Sequence, residues 1–227
     1  MRLAIANKLY SSWSMRPWLV LRAFGVPFKE TAIRLKRADT AQRIAAYSPA
    51  GKLPILIDGD VRVWESLAII EYLAEKFPDK AIWPRDMAAR AQARAISSEM
   101  HAGFQALRQA CAMNLGKRFA PRDHGPEVAA NVARVVEIWR EARGAFGAGG
   151  PFLYGAFSAA DAMYAPVVTR FVTYGVAVDD AARSYMDAVL GHPAVAAWRE
   201  DALAEPWTIA EYEADQEVIE TFPRPAA

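Results

Sequence analysis

Lys52-Leu53-Pro54-Ile55-Leu56-Ile57-Asp58-Gly59-Asp60-Val61-Arg62-Val63-Trp64-Glu65-Ser66 reads as two short strands joined by a tight turn, opened by a proline and closed by a helix start. Asp58-Gly59 between apolar runs is a strong hairpin signal, flanked by Pro54 to Ile57 and Val61 to Trp64. Pro54 has no amide N–H, and its place just ahead of an apolar strand leaves the backbone groups of Leu53 free to pair with an extended ligand, the more so across a cis bond. Eleven residues beyond Pro54, Glu65-Ser66 is an acid and hydroxyl pair opening the next helix, suited to a second polar end of the same ligand. As plain structure the pair supplies a charged first turn and a cap.

Working outward, Ser66 to Phe77 carries Leu67, Ile70, Leu73 and Ala74 on one helical face. Upstream, Leu3 to Ala6 reads as a strand, Pro17 to Phe24 as a helix stopped by Gly25, Thr31, Ile33 and Leu35 as a second strand, and Thr40 to Tyr47 as a short helix broken by Ser48-Pro49-Ala50-Gly51. The order is βαβαββα over residues 1–77. Composition changes at Phe77-Pro78-Asp79-Lys80, and from residue 87 the pattern is helix after helix, rich in alanine. The expected fold class is α/β plus all-α: a domain over 1–77, a linker over 78–86 and an all-helical domain over 87–227. Helices are expected over Met87 to Ala112, Pro126 to Phe146, Ser158 to Tyr174, Asp180 to Leu190 and Pro193 to Leu203. The segment from Glu205 to Pro223 holds Trp207, Ile209, Tyr212 and Phe222, too aromatic for a free tail, and is expected to fold back on the molecule.

The 227 residues hold 27 basic and 26 acidic side chains, a net charge of +1 with no block of one sign, which disfavours nucleic acid and anionic membrane as partners. The single cysteine, Cys111, rules out an internal disulfide and a CxxC pair, and reads as a small buried apolar residue. No ligand set for zinc is visible among the three histidines, so no metal is expected. The first residues read as a strand rather than a secretion signal, and no segment reaches the ~18 unbroken apolar residues of a membrane helix. The expected setting is the cytoplasm.

Tyr10-Ser11-Ser12-Trp13-Ser14, Leu53-Pro54 and Glu65-Ser66 together resemble the thioredoxin-like N-terminal half of the cytosolic glutathione transferases, and Phe157-Ser158-Ala159-Ala160-Asp161 resembles the Ser-x-x-Asp helix start of their second domain. That last motif is structural, a capping box. Ser-Ser-Trp-Ser is similar to the Ser-Ser-Cys-Ser of the serine-type zeta class, which includes maleylacetoacetate isomerase. The resemblance covers nearly the whole chain. It implies a glutathione transferase, with glutathione as co-substrate and a small hydrophobic electrophile as its partner, and a homodimer. Its alternatives are a cis-trans isomerase of the maleylacetoacetate type and a noncatalytic glutathione-binding module.

A free cysteine-type thiol has a pKa of about 8.5, and each unit of depression needs ~1.4 kcal/mol of preference for the thiolate. A hydroxyl and the amides at a helix start supply that preference. The resemblance points to Ser11 as the donor, with Ser12 the runner-up, Ser14 better explained as a cap, and Tyr10 ranked below both serines. By the same resemblance Ser66 binds the γ-glutamyl carboxylate, Glu65 the γ-glutamyl ammonium side, Leu53 beside Pro54 the cysteinyl unit through its backbone, and Lys52, Arg37 or Arg43 the glycyl carboxylate. Trp13, His101, Phe104, Arg108 and Met113-Asn114 are candidates for the wall of the electrophile pocket, although an aromatic or methionine at helical spacing serves a core equally well. Arg16, in the same turn, suits an ion pair or an acidic substrate. Trp13 stands where the zeta class has cysteine, and so reshapes the pocket. Ile69, Met87 and Ile96 are candidate dimer contacts.

Overall fold

The computed structural model describes residues 1–213 and 215–225. Its first half is a four-stranded sheet of order β2-β1-β3-β4, formed by β1 (Arg2–Ile5), β2 (Lys29–Ala32), β3 (Ile55–Asp58) and β4 (Val61–Trp64). β1 runs parallel to β2, with Leu3 opposite Glu30, and antiparallel to β3, with Leu3 opposite Leu56. The parallel pair requires a crossover, and α1 (Ser12–Ala23) provides it. The hairpin pairs Ile55 with Trp64 and turns at Gly59, whose φ of 60° is cheap only for glycine. α2 (Thr40–Ala45) precedes the hairpin and α3 (Ser66–Lys76) follows it. The Leu53-Pro54 peptide bond is cis.

The second half is helical: α4 (Met87–Ala102), α5 (Gln105–Ala110), α6 (Pro126–Phe146), α7 (Ala159–Thr173), α8 (Asp180–Gly191) and α9 (Pro193–Leu203). α7 packs on α1, α4 and α8, and 14 of its 15 residues are buried, so every polar side chain on it needs a partner inside the protein. Asp161 has four: the amides of Leu153 and Ser158 at 3.1 and 2.8 Å, and the hydroxyls of Ser158 and Tyr185 at 2.9 and 3.2 Å. Both halves of the expected capping box are formed.

Four local features differ from the sequence reading. β2 closes at Ala32, so of the alternating Thr31, Ile33 and Leu35 only Thr31 lies in the strand. α1 begins at Ser12 rather than Pro17, because Ser11 caps it and Pro17, inside the helix, sacrifices only one amide. The long helix expected to Ala112 breaks at Gly103, where a Cβ would sit 2.8 Å from the Glu99 carbonyl oxygen, and Phe104 follows in the left-handed region at φ 60°. Finally, β5 (Lys117–Phe119) and β6 (Val218–Thr221) pair antiparallel, tying the C-terminal segment to the stretch after α5. This pairing left no clear alternation in the sequence, since all four residues of β6 are exposed. Of the candidate dimer contacts, Ile69 and Ile96 are buried inside the chain and cannot reach a partner, whereas Met87 is 76% exposed, near the level of a free side chain. Among the described residues no helix is long and apolar enough to cross a membrane.

Candidate functional site

Ser11 is the N-cap of α1. Its Oγ accepts from the Ser14 amide at 3.3 Å and lies 2.9 Å from Ser14 Oγ, which in turn accepts the Ala6 amide at 3.0 Å. Ser11 is therefore both cap and half-exposed hydroxyl, while Ser14, expected to be the cap, is fully buried behind it. Ser12 is buried and receives Nη2 of Arg170 at 3.2 Å. Tyr10 is buried too, with its hydroxyl donating to Glu213 at 2.5 Å and its pKa pushed up to about 12 by burial and then by that carboxylate.

At the start of α3 neither side chain of Glu65-Ser66 makes a capping hydrogen bond. Glu65 sits at φ 67°, and the Ser66 hydroxyl is buried with no hydrogen-bond partner among the described residues. The cap explanation of this pair therefore fails, and a buried hydroxyl left unpaired costs on the order of 1–3 kcal/mol unless something else bonds it. Leu53 is half-buried just ahead of the strand ladder, which begins at Ile55, and Lys52 is exposed. Arg37 and Arg43 are exposed as well.

Trp13 joins these helix starts to the helical half. Its ring lies 5.1 Å from that of His101 on α4, edge to face, and His101 Nε2 is 3.5 Å from a Glu65 oxygen. Two guanidinium groups stack on the same indole, Arg16 at 4.5 Å and Arg108 at 4.6 Å. Arg16 is fully buried, gives Nε to the Met163 carbonyl at 3.1 Å, and among the described residues has no partner for Nη1. Arg108 donates to the carbonyls of Met100 and His101, leaving Nε unpaired. Arg170, also fully buried, donates to the carbonyls of Cys111 and Pro166 and to Ser12. Among the described residues none of the three forms an ion pair with a carboxylate. Burial, and then mutual repulsion, pushes Arg16 well below the usual guanidinium range and Arg170 down to about 10. The arrangement is an aromatic wall carrying uncompensated positive charge, and so is suited to an anion.

Phe104 and Met113 are buried in the core cluster, and Asn114 bonds Glu213 at 3.2 Å. Cys111 is fully buried, with its thiol pushed up to about 11 by desolvation, and so is inert. The sequence reading missed Arg170. The signal was present: it is the one cation in the run from Ala159 to Thr173. A groove of about 1140 Å³ between α6 and the loop before α8 contains none of these site residues. Among the described residues no cluster of His, Cys, Asp and Glu is placed to hold a metal.

His101 offers a pH test. Burial lowers its pKa, the charges of Arg16 and Arg108 lower it further, and Glu65 opposes them. The imidazole is thus neutral near pH 7 and meets Glu65 without a full ion pair. A folded pKa below the unfolded value of about 6.5 means that its contribution is intact above that pH and is lost as pH falls toward the folded value. Asp161 acts oppositely: burial raises it to about 6, so the folded state gains protons, and stability, as pH falls through that value. His101→Gln is expected to flatten the fall in melting temperature between about pH 7 and pH 5. Identical slopes for the variant and the parent would refute the assignment.

The comparisons agree on one family. The model of the glutathione S-transferase N-terminal domain matches residues 10–76, and that of the C-terminal domain residues 123–201. A probable maleylacetoacetate isomerase from Caenorhabditis elegans is 38% identical over 104 residues, 44% of this chain and 48% of that protein. Glutathione S-transferase Z1 from Arabidopsis thaliana is 34% identical over 103 residues, covering 43% and 47%. These matches span about half the length of the curated relatives. Among solved structures, a bacterial maleyl pyruvate isomerase of the zeta class superposes with a TM-score of 0.70 at 20% identity, covering 92% of this chain and 100% of that one. A glutathione transferase homologue from Burkholderia gl BGR1, with bound glutathione, gives 0.68 at 21%, covering 88% and 97%. These likenesses carry the fold.

Proposed function

The chain belongs to the glutathione S-transferase family, and from that premise we propose that it binds glutathione, ionises its thiol and transfers the sulfur to a small electrophile bearing an anionic group. The observation that carries the reading is the buried, unpartnered Ser66 hydroxyl at the first residue of α3. It is a donor waiting for an acceptor, and a γ-glutamyl carboxylate is one. Glu65 beside it serves the ammonium, Leu53 pairs its backbone with the cysteinyl unit, and Lys52 reaches the glycyl carboxylate.

Hydroxyl protons rotate to suit their partners. With a thiolate present, Ser14 Oγ accepts from Ala6 and donates to Ser11 Oγ, which frees the Ser11 proton for sulfur. Ser11 then accepts two hydrogen bonds, from the Ser14 amide and hydroxyl, while donating one, an arrangement that polarises it. The first turn of α1 adds the positive end of its dipole. The thiol proton passes to solvent, the sulfur lone pair forms a C–S bond to the electron-poor carbon, and the electrophile's π bond or leaving group takes the displaced pair. Trp13 supplies a flat apolar surface, while Arg16 and Arg108, with Arg170 behind Ser12, supply the charge for a carboxylate.

The same arginines favour a second reading, glutathione-dependent cis-trans isomerisation of the maleylacetoacetate type, in which the sulfur adds, the former double bond rotates and the sulfur leaves. A homodimer in the cytoplasm, with the exposed Val61, Trp64 and Met87 as candidate contacts, is part of the proposal. The test is an ultraviolet difference titration of bound glutathione. A thiolate formed near neutral pH supports the enzyme. Binding without ionisation leaves a noncatalytic binding module, and no binding refutes the site.

A further inference from the structure

The turn that presents Ser11 is held by the far end of the chain. The amides of Lys8 and Leu9 donate to the two oxygens of the Glu205 carboxylate, at 2.8 and 3.3 Å. The Tyr10 hydroxyl donates to Glu213 Oε1 at 2.5 Å and accepts the Ile209 amide at 3.4 Å. Three consecutive residues ahead of Ser11 are thus bonded to the segment after α9. Glu213 also takes Asn114 Nδ2 at 3.2 Å and pairs with Lys117 Nζ at 2.7 Å, so one carboxylate joins the serine turn to the segment where β5 begins. Beyond it, β6 pairs with β5, with Lys117 opposite Thr221, and Phe222 lies under the Arg199 guanidinium at 4.4 Å. The segment is a strap, anchored at both ends and bonded to the turn in between.

A hydroxyl that must meet a sulfur within hydrogen-bond range needs its loop fixed to about half an ångström. Ser11's own turn supplies part of this: the Asn7 carbonyl accepts the amides of both Tyr10 and Ser11, at 3.3 and 2.9 Å, and Ser11 Oγ is tied to Ser14, while the amides of Lys8 and Leu9 bond outside the turn. The rest of the fixing comes from other segments, including the strap and the Leu115 amide, which donates to the Leu9 carbonyl at 3.2 Å.

We propose that the C-terminal strap, through Glu205 on the Lys8-Leu9 amides and Glu213 on the Tyr10 hydroxyl, positions Ser11 for thiol activation. Tyr10, Glu205 and Glu213 are positioning residues and touch no substrate. The proposal rests on Ser11 as the thiol donor, and its test separates the two claims.

In the full chain, Tyr10→Phe removes only the strap's hydroxyl contact, Glu213→Ala removes its acceptor, and Glu213→Gln keeps an acceptor for Tyr10. Amide hydrogen exchange of residues 8–12, measured without glutathione, is expected to quicken about tenfold in Tyr10→Phe and Glu213→Ala while the amides of α7 stay unchanged. The apparent pKa of bound glutathione is expected to rise by about one unit, a tenfold loss of thiolate, with part of it recovered in Glu213→Gln. Folded variants with parental exchange and parental thiol pKa would overturn the proposal, whatever their melting temperature. If the parent itself forms no thiolate, the Ser11 reading falls, and the exchange rates alone decide whether the strap holds the turn.

Discussion

Ser11→Ala is expected to cut glutathione thiolate formation and turnover by roughly 10- to 100-fold near neutral pH, while glutathione still binds. A hydrogen bond to a charged acceptor contributes about 1.5–3 kcal/mol, and at ~1.4 kcal/mol per pKa unit its loss raises the thiol by one to two units. The substitution also removes the cap that accepts the Ser14 amide, which costs about 1 kcal/mol. For a chain of this size that is a melting-temperature drop of roughly 2–4 °C. Ser11→Thr keeps both the hydroxyl and the cap, and is expected to retain most activity. Ser12→Ala removes only the contact to Arg170 and is expected to act more weakly. Titrating bound glutathione in each variant decides the matter: loss of the thiolate in Ser12→Ala but not in Ser11→Ala would transfer the role to Ser12.

The βαβαββα order of the first half was legible in the sequence because each of its signals is local. Asp58-Gly59 makes its turn with the neighbouring residues, and the periodicity of Leu67, Ile70 and Leu73 needs only one helix. The Ser158 and Asp161 capping box is likewise a four-residue event. The β5 and β6 pairing was not legible, since it joins residues about a hundred apart in the chain through an exposed strand with no alternation. The break at Gly103 was missed because the surrounding apolar spacing suits a continuous helix, and only the close approach to the Glu99 carbonyl shows why the chain turns.

The candidate site divides along the same line. Ser11, Leu53, Glu65 and Ser66 stand out by motif and spacing. The grouping of Arg16 and Arg108 on Trp13 and Arg170 on Ser12 draws on three helices, α1, α5 and α7, and no window of sequence contains it. Likewise, Glu205 and Glu213 look like surface carboxylates until the fold brings them onto the serine turn, where burial raises the pKa of Glu205 and the amides of Lys8 and Leu9 hold it down. Tyr10 also changes role: ranked in the sequence as a third thiol donor, it has its hydroxyl committed to Glu213.

Arg16→Met is expected to stabilise the fold while removing activity toward acidic electrophiles. A charge with no carboxylate partner, fully buried beside two like charges, is a net cost to folding. Methionine fills much of the same volume without the charge; it forfeits the bond to the Met163 carbonyl, about 1 kcal/mol, and exchanges the guanidinium stacking on Trp13 for a thioether contact with the same ring. Relief of buried charge of this kind gives on the order of 1–4 kcal/mol. A net gain of about 1–2 kcal/mol is expected, a rise of roughly 2–8 °C in melting temperature. Binding sites carry such costs because the ligand relieves them: a substrate carboxylate on the Trp13 surface supplies the counter-charge that Arg16, stacked on the same ring, lacks. Losing it should therefore lower kcat/KM about 100-fold for an electrophile with a carboxylate, in line with the 2–5 kcal/mol typical of a truncated buried charge pair. A neutral electrophile such as a chlorodinitrobenzene, which uses only sulfur activation and the Trp13 surface, should change by no more than about threefold, a difference under 1 kcal/mol. Equal losses on both substrates would mean that Arg16 supports the architecture of the turn rather than the charge of the ligand. A lower melting temperature would mean that its buried charge is compensated by contacts stronger than the single carbonyl bond.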